Sequence, residues 1–268
     1  MAHAAVLAKN VLVTGGASGI GLAIVRFVAA LSARSVIILD ISPTTAELVI
    51  SSLEKEFTST RFSFKHCDIS NWEEQKDAFK EVYSHMGGID IVFANAGVTE
   101  FGKFLENEEG EPSQPNLKTM DINLVGTLYT VYYMRKSATR HKGSIICTGS
   151  NAGIYPFPVA PIYGISKHAV VGAIRSLAPP LEAEGIQING ICPNVIRTGL
   201  AGDHLLSEMQ ITPMSTALEA VGEFLAKPEL TGRIAEVSGD KFTLREAPEY
   251  VDEMTRKNLD TFTALGYA

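Results

Sequence analysis

The amino-acid sequence predicts an α/β fold: a single doubly wound parallel sheet of about seven strands with helices on both faces. Two observations carry the prediction. Short runs of consecutive apolar, often β-branched residues recur along the chain, as strands buried on both faces require. Between them lie longer stretches with apolar residues at helical spacing, and this alternation is that of parallel strands joined by crossover helices. No internal repeat or low-complexity linker interrupts the pattern, so residues 1–268 read as one domain.

The first run, "NVLVT" (10–14), ends in glycines, and "GIGLAIVRFVAAL" (19–31) follows as a helix. "SVIILD" (35–40) is a second strand, and Ser42 followed by Pro43 opens a helix with proline at its first position. "RFSFKHCD" (61–68) is a third strand. "SNWE" (70–73) has capping-box spacing, with Gly87 and Gly88 closing the helix it opens. "IDIVFANAG" (89–97) is a fourth strand running into a turn. The acidic, proline-bearing stretch 106–115 reads as an exposed loop, followed by a long helix from about Asn116 to about Arg140. "GSIICTGS" (143–150) and "IQINGIC" (186–192) are the fifth and sixth strands, separated by a helix containing Tyr163. Thr212 and Pro213 open a further helix, and "RIAEVSG" (233–239) is a seventh strand.

Composition narrows the partners. A net charge of −7 argues against nucleic acid or an anionic membrane surface. The three cysteines, Cys67, Cys147 and Cys192, sit in or beside apolar strand-like runs. Their odd number and wide spacing fit neither a disulfide framework nor a metal site, so buried reduced thiols are expected. No apolar run is long enough to span a membrane, and the N-terminus lacks the features of a secretory signal. A cytoplasmic protein acting on a small molecule is the expectation.

"VTGGASGIG" (13–21) joins the first strand to the first helix. Glycine permits a tight turn and close approach of a pyrophosphate, and the helix start offers unpaired N–H groups. Alone, the turn could be a mere tight connection, since its spacing is G-x-x-x-G-x-G rather than G-x-G-x-x-G. Asp40, at the end of the second strand and nineteen residues after Gly21, stands where a carboxylate accepts bonds from an adenosine ribose. Together they point to a dinucleotide. Asp40 would repel a 2′-phosphate, and Ser18, Ile41 and Ser42 offer no cation to welcome one, so NAD is favoured over NADP.

Downstream, "NAG" (95–97), Asn123 in "DINLVG", Ser150 in "CTGSNAG", Tyr163 and Lys167 in "YGISK", and "ICPNVIRT" (191–198) follow in order. With "TGGASGIG" they resemble the short-chain dehydrogenase/reductase family over about residues 8–200, including the thirteen-residue step from Ser150 to Tyr163. Within it, "HCDIS", "PIYGISKHAVVGAIRS" and "ICP" look most like the NAD-dependent 15-hydroxyprostaglandin dehydrogenase branch. The resemblance implies a Rossmann-type fold with a cofactor half (about 8–150), a catalytic and substrate half (about 150–268) and a lid at about 194–212. It also implies an assembly, a homodimer or homotetramer.

The resemblance implies a catalytic tetrad. Tyr163 would be the general acid/base, and Lys167 would lower its pKa and hold the nicotinamide ribose. Ser150 would orient the substrate oxygen. Asn123 would distort its helix and hold a water that relays protons to Lys167; a mid-helix asparagine can also be structural. The implied cofactor contacts are Gly15, Ala17, Ser18, Gly19, Ile20, Gly21, Asp40, Ile41, Asp68, Ile69, Asn95, Ala96, Gly97, Tyr163, Lys167, Pro193, Ile196 and Thr198. Asp68 would accept from the adenine amino group, with a helix-start acid as the bland alternative.

Three departures from the family pattern stand out. Ala94 replaces the first asparagine of the usual Asn-Asn-Ala-Gly turn. Asn194 replaces the glycine after Pro193, so its amide should project toward the nicotinamide or substrate. Pro179 and Pro180 should kink or end the catalytic helix near Ala178. In addition, Ala160 stands where prostaglandin dehydrogenases have glutamine.

Ser150, Tyr155, Phe157, Asn194, Leu200 and His204 are the candidate substrate contacts, with Ile154 to Phe157 forming one wall. His204 reads as a surface residue more readily than as a catalyst. The tail (248–268) is expected to form a helix over the pocket or against another subunit. The leading function is an NAD(H)-dependent oxidoreductase acting on a secondary alcohol or ketone of a bulky, mostly apolar molecule. A redox-neutral isomerisation, epimerisation or cyclisation is the alternative, and a nucleotide-sensing binding protein the remote one.

Overall fold

The computed structural model describes residues 2–105, 113–138, 142–200 and 203–266. The expected loop at 106–115 and the expected helix end at Arg140 fall largely or wholly outside these residues.

After a short helix α1 (Ala2–Val6), the chain runs β1 (Asn10–Thr14), α2 (Gly19–Ala30), β2 (Ser35–Asp40), α3 (Pro43–Glu56), β3 (Arg61–His66), α4 (Trp72–Met86) and β4 (Ile91–Ala94). The second half continues with α5 (Lys118–Met120), a π-helical turn (Asp121–Gly126), α6 (Thr127–Ser137), β5 (Gly143–Thr148), α7 (Pro161–Ala183) and β6 (Ile186–Pro193). It closes with α8 (Asp203–Ser207), α9 (Met214–Ala226), β7 (Ile234–Ser238), β8 (Lys241–Arg245) and α10 (Glu253–Leu265).

The strands form one sheet in the order β3-β2-β1-β4-β5-β6-β7-β8. All pairs are parallel except β7 with β8. β1, β4 and β6 are buried along their whole length, which is why they read as unbroken apolar runs. Alternate residues feed two cores. Val11, Val13, Val36, Ile38 and Phe93 meet α2, α3 and α9 on one face, through Ile24, Leu53 and Phe224 among others. Leu12, Ile37, Val92, Ile145 and Ile188 meet α4, α6 and α7 on the other, through Phe79, Met134 and Ile174.

The structure corrects three expectations. An eighth strand, β8, pairs antiparallel with β7 through a two-residue turn at Gly239–Asp240, with Gly239 at φ 59°. Its alternating half-exposed pattern is that of an edge strand, not an apolar run. Second, the cap of α4 is Asn71 rather than Ser70: Asn71 Oδ1 accepts the N–H groups of Glu73 and Glu74 at 3.0 and 3.3 Å. Ser70 instead donates its hydroxyl to Asp68 Oδ1 at 2.7 Å.

Third, α7 does not end near Ala178; it continues through Pro179 and Pro180 to Ala183. Both rings face solvent, while Ala178 and Leu181 are buried in the core. Burying a leucine contributes about 1.5–3 kcal/mol, which with the burial of Ala178 offsets part of the cost of about 3 kcal/mol for each interior proline. Packing therefore holds the last turn in helical form until Gly185, at φ 77°, ends it.

Replacing Pro179 or Pro180 by alanine restores a donor for the carbonyl of Arg175 or Ser176 without disturbing the core. Each change is expected to raise the unfolding free energy by about 1–2 kcal/mol, the helical gain being reduced by a freer unfolded chain. Urea denaturation checks this; lowered stability would show that the prolines are packed rather than tolerated.

Candidate active site

The strand order reverses at β1, with β2 on one side and β4 on the other. The carboxyl ends flanking such a switch point form a crevice between loops that diverge. The glycine loop lies there. Gly15 adopts φ 63°, and a side chain on it would meet Ala96 Cα at 2.9 Å. A side chain on Gly21 would collide with the Gly15 carbonyl and meet Asn95 Nδ2 at 2.6 Å. The loop is thus folded back on itself, and α2 starts within van der Waals contact of β1 and β4. Ser18 occupies the cap position of α2 with no side-chain capping bond, and the amides of Gly19, Ile20 and Gly21 form its first turn.

Asp40 braces this loop. Its Oδ2 accepts the Ala17 N–H and its Oδ1 the Ser42 N–H, each at 3.1 Å. Ile41 beside it is 64% exposed. Asp68 Oδ1 accepts the Ser70 N–H at 2.9 Å, while Ile69 buries its side chain against Gly126.

A polar seam crosses the three central strands. Thr14 Oγ1 accepts the N–H groups of Asn95 and Ala96 at 2.9 and 3.0 Å. Asn95 Nδ2 donates to Thr14 O at 3.1 Å, and its Oδ1 accepts the Thr148 hydroxyl at 3.0 Å. Thr148 O accepts Lys167 Nζ at 2.9 Å. Asn95 therefore braces the sheet with its side chain.

Ser150, Tyr163 and Lys167 converge beyond β5. Ser150 caps a 3₁₀ turn (Asn151–Gly153), with its Oγ accepting the Ala152 N–H at 3.1 Å. Pro161 starts α7, and the helical step from Tyr163 to Lys167 puts the Lys167 ammonium 5.7 Å from the Tyr163 ring centroid. Lys167 is 4% exposed, and burial brings its pKa down to about 8. Burial pushes the Tyr163 phenol up, and its hydrogen bond with Ser150 works in the opposite direction.

Asn123 lies in the π-helical turn, where the helix widens around it. Its Oδ1 accepts the Val98 N–H at 2.8 Å, and its Nδ2 donates to Val98 O and Ser166 Oγ at 3.0 and 3.1 Å. The amide is committed to the loop after β4. Its main-chain carbonyl accepts the Thr127 hydroxyl at 2.8 Å. A side chain on Gly97 would meet Asn123 Oδ1 at 3.1 Å and Lys167 Nζ at 3.4 Å, so glycine leaves room for both.

The substrate contacts separate into two groups. Phe157 lies edge-on to Tyr163, with ring centroids 6.0 Å apart. It also borders an apolar groove of about 530 Å³ with Pro156, Pro158, Pro161, Ile165 and His168. Leu200 is exposed, and His204 is exposed on α8; residues 201–202 of the lid lie outside the described residues. Tyr155 turns away: its hydroxyl donates to Glu236 Oε1 at 2.8 Å and accepts from Arg245 at 2.9 Å. The wall it was expected to form is anchored to β7 and β8 instead.

Asn194 also departs from expectation. Its Oδ1 accepts Asn151 Nδ2 at 3.0 Å and the Val195 N–H at 2.9 Å, and its Nδ2 donates to Ser238 Oγ at 3.4 Å. The amide is taken up by the turn after β5 and the end of β7. Pro193 ends β6, and Ile196 buries its side chain in the core. A side chain on Gly19 would meet Thr198 Cβ at 3.4 Å, so the segment after β6 passes close to the glycine loop.

Sequence reasoning missed Thr14, Thr148, Asn151 and Cys192. The first three adjoin the glycine loop or Ser150 in sequence, a signal that was present but not distinctive. Burial pushes the Cys192 thiol up to about 11 and that of Cys147 up to about 12, so both stay protonated. All three cysteines are free and buried. Among the described residues, no cluster of side chains could hold a metal ion, and no helix is long and apolar enough to cross a membrane.

A family model described as short chain dehydrogenase matches residues 9–208. The chain is 30% identical to short-chain dehydrogenase/reductase prx7 of Penicillium rubens over 233 residues, covering 75% of this chain and 83% of that protein. It is 33% identical to human 15-hydroxyprostaglandin dehydrogenase [NAD(+)] over 198 residues, covering 72% and 70% of the two chains. The crystal structure of gox2181 superposes with a TM-score of 0.77 at 27% identity, over 88% of this chain and 97% of that one. With the eight-stranded sheet and its crevice, these likenesses show that the chain belongs to the short-chain dehydrogenase/reductase family and is an oxidoreductase acting on CH–OH groups.

Proposed function

We propose that this protein interconverts a secondary alcohol and a ketone on a bulky, mostly apolar small molecule, with NAD(H) as its cofactor. One observation carries the reading: a buried ammonium, Lys167, sits beneath the phenol of Tyr163, which Ser150 engages from the neighbouring turn. The glycine loop fits a dinucleotide, because Gly15 and Gly21 stand where any side chain would fill the turn. Asp40 fits the non-phosphorylated cofactor, since its carboxylate lies against the loop with exposed Ile41 beside it. The name of the human relative, which specifies NAD(+), agrees with this choice.

NAD(H), when bound, supplies or accepts the hydride. The chain's own residues do the rest. Ser150 orients the substrate oxygen, and Tyr163 gives or takes the proton at that oxygen. Lys167 favours the phenolate by its positive charge, against the burial that disfavours it. Asn123 anchors the loop after β4 through its amide and, in this reading, holds the water that relays protons to Lys167. Phe157 and the apolar groove beside it select a substrate with few polar handles.

The direct test combines binding and turnover. NADH is expected to bind more tightly than NADPH by fluorescence titration, and bulky secondary alcohols to reduce NAD. Tyr163→Phe should lower kcat by about 10²–10⁴-fold while leaving NADH affinity within about threefold. Full activity in that variant would sink the assignment of Tyr163. Preference for NADPH would sink that of Asp40, and tight NADH binding without turnover would favour redox-neutral chemistry.

A second prediction concerns pH. The folded state holds Lys167 at about 8, against 10.5 for an unperturbed lysine, so between these values the unfolded chain binds the extra proton. The charged form burdens the fold fully below about 8, and the burden lifts as the pH rises toward 10.5. Relative to Lys167→Met, the cofactor-free protein should therefore gain stability from about pH 8 to about pH 10 in denaturant titrations. A constant difference across that window would contradict the lowered pKa.

A further inference from the structure

The Ser150 hydroxyl has one proton to give. Its oxygen accepts the Ala152 N–H at 3.1 Å, and it donates to Asn151 Oδ1 at 3.2 Å. Which end of the Asn151 amide faces Ser150 is decided by bonds that begin at the backbone. The Val195 N–H can only donate, and it meets Asn194 Oδ1 at 2.9 Å. That same oxygen lies 3.0 Å from Asn151 Nδ2, so Asn151 must turn its NH₂ toward Asn194. Asn194 completes the chain by donating through Nδ2 to Ser238 Oγ at 3.4 Å. Asn151 can then present only a carbonyl oxygen to Ser150. This carbonyl competes with Tyr163 for the serine proton, and so opposes the hydrogen bond by which Ser150 draws the phenol's pKa down.

We propose that Asn151 and Asn194 are positioning residues that set the direction of the Ser150 hydroxyl and, through it, hold Tyr163 in its protonated resting form. The proposal deepens the function proposed above and rests on its assignment of Ser150 and Tyr163. A phenolate gains the serine proton only when Ser150 turns away from Asn151. Asn194 matters because it fixes the Asn151 amide, a service that the glycine usual at this position could not perform. The titratable groups facing Tyr163 are Lys167 on α7, Cys192 on β6, and Glu100 after β4, whose carboxylate accepts the Tyr163 N–H at 3.0 Å. The variants below leave all three in place.

Tyrosinate absorbance is followed against pH for the unmodified full-length protein and for Asn151→Ala, Asn194→Ala and Asn194→Asp. From each curve the same protein carrying Tyr163→Phe is subtracted, so that only Tyr163 is read. Asn151→Ala releases the serine proton to the phenolate, and Tyr163 is expected to ionise about one pH unit lower, a tenfold change. Asn194→Ala frees the Asn151 amide to turn and should move the titration the same way by about half as much. Asn194→Asp keeps an oxygen for both the Val195 N–H and the Asn151 NH₂ and adds a negative charge, so its curve should not move below that of the unmodified protein. Rescue by aspartate is a result that a merely structural role would not produce. Superimposable curves for all four proteins, or a shift to higher pH in the alanine variants, would overturn the proposal. The readout needs no substrate, whereas failure of the functional reading would appear separately, as absent NADH binding.

Discussion

The hydrogen-bonded seam from Thr14 through Asn95 and Thr148 to Lys167 is the constraint on which the rest of the site depends. It runs across the carboxyl ends of β1, β4 and β5, where the order of the sheet reverses. Backbone groups at such ends have left the ladder and need new partners. Thr14 supplies an acceptor to two of them, and Asn95 returns a donor to the Thr14 carbonyl. The same bonds fix the glycine loop on one side and the Thr148 carbonyl on the other. The proposed cofactor cradle and the proposed catalytic lysine are thereby held in one frame.

That frame matters because Lys167 is costly to bury. An ammonium removed from water is tolerated only where its remaining protons find acceptors and a compensating charge arrives. Thr148 provides one acceptor. The phenolate of Tyr163, in the proposed mechanism, provides the charge. Each group is unfavourable alone in its buried ionised form, as the lowered lysine and raised tyrosine pKa values show. Together they favour each other's ionised state, which suits a pair that must exchange protons near neutral pH.

Much of the fold was legible because parallel strands buried on both faces leave unbroken apolar runs, as in β1, β2 and β6. β8 escaped because an edge strand alternates and is short; the Gly239–Asp240 turn was its one sign. The continuation of α7 through Pro179 and Pro180 could not be read from local rules, because burial of Ala178 and Leu181 overrides them. Ser150, Tyr163 and Lys167 were legible through spacing and resemblance, since helical periodicity alone makes the last two neighbours. The directions of Tyr155 and Asn194 were not: Tyr155 is held by Glu236 and Arg245 on β7 and β8, and Asn194 by Asn151 and Ser238, partners distant in sequence that no motif announces. The same is true of Asn123, whose amide is taken up by Val98 and Ser166.

The most direct test of the central claim is the NADH affinity of Asn95→Ala, measured by calorimetry beside the unmodified protein. Asn95 contacts the glycine loop and Thr148 with its side chain, so its truncation should loosen the cofactor cradle while leaving the apolar core intact. The account predicts affinity lower by about tenfold or more, with cooperative unfolding retained. Unchanged affinity in a folded protein would contradict it, and would mean that the glycine loop holds its shape without the seam.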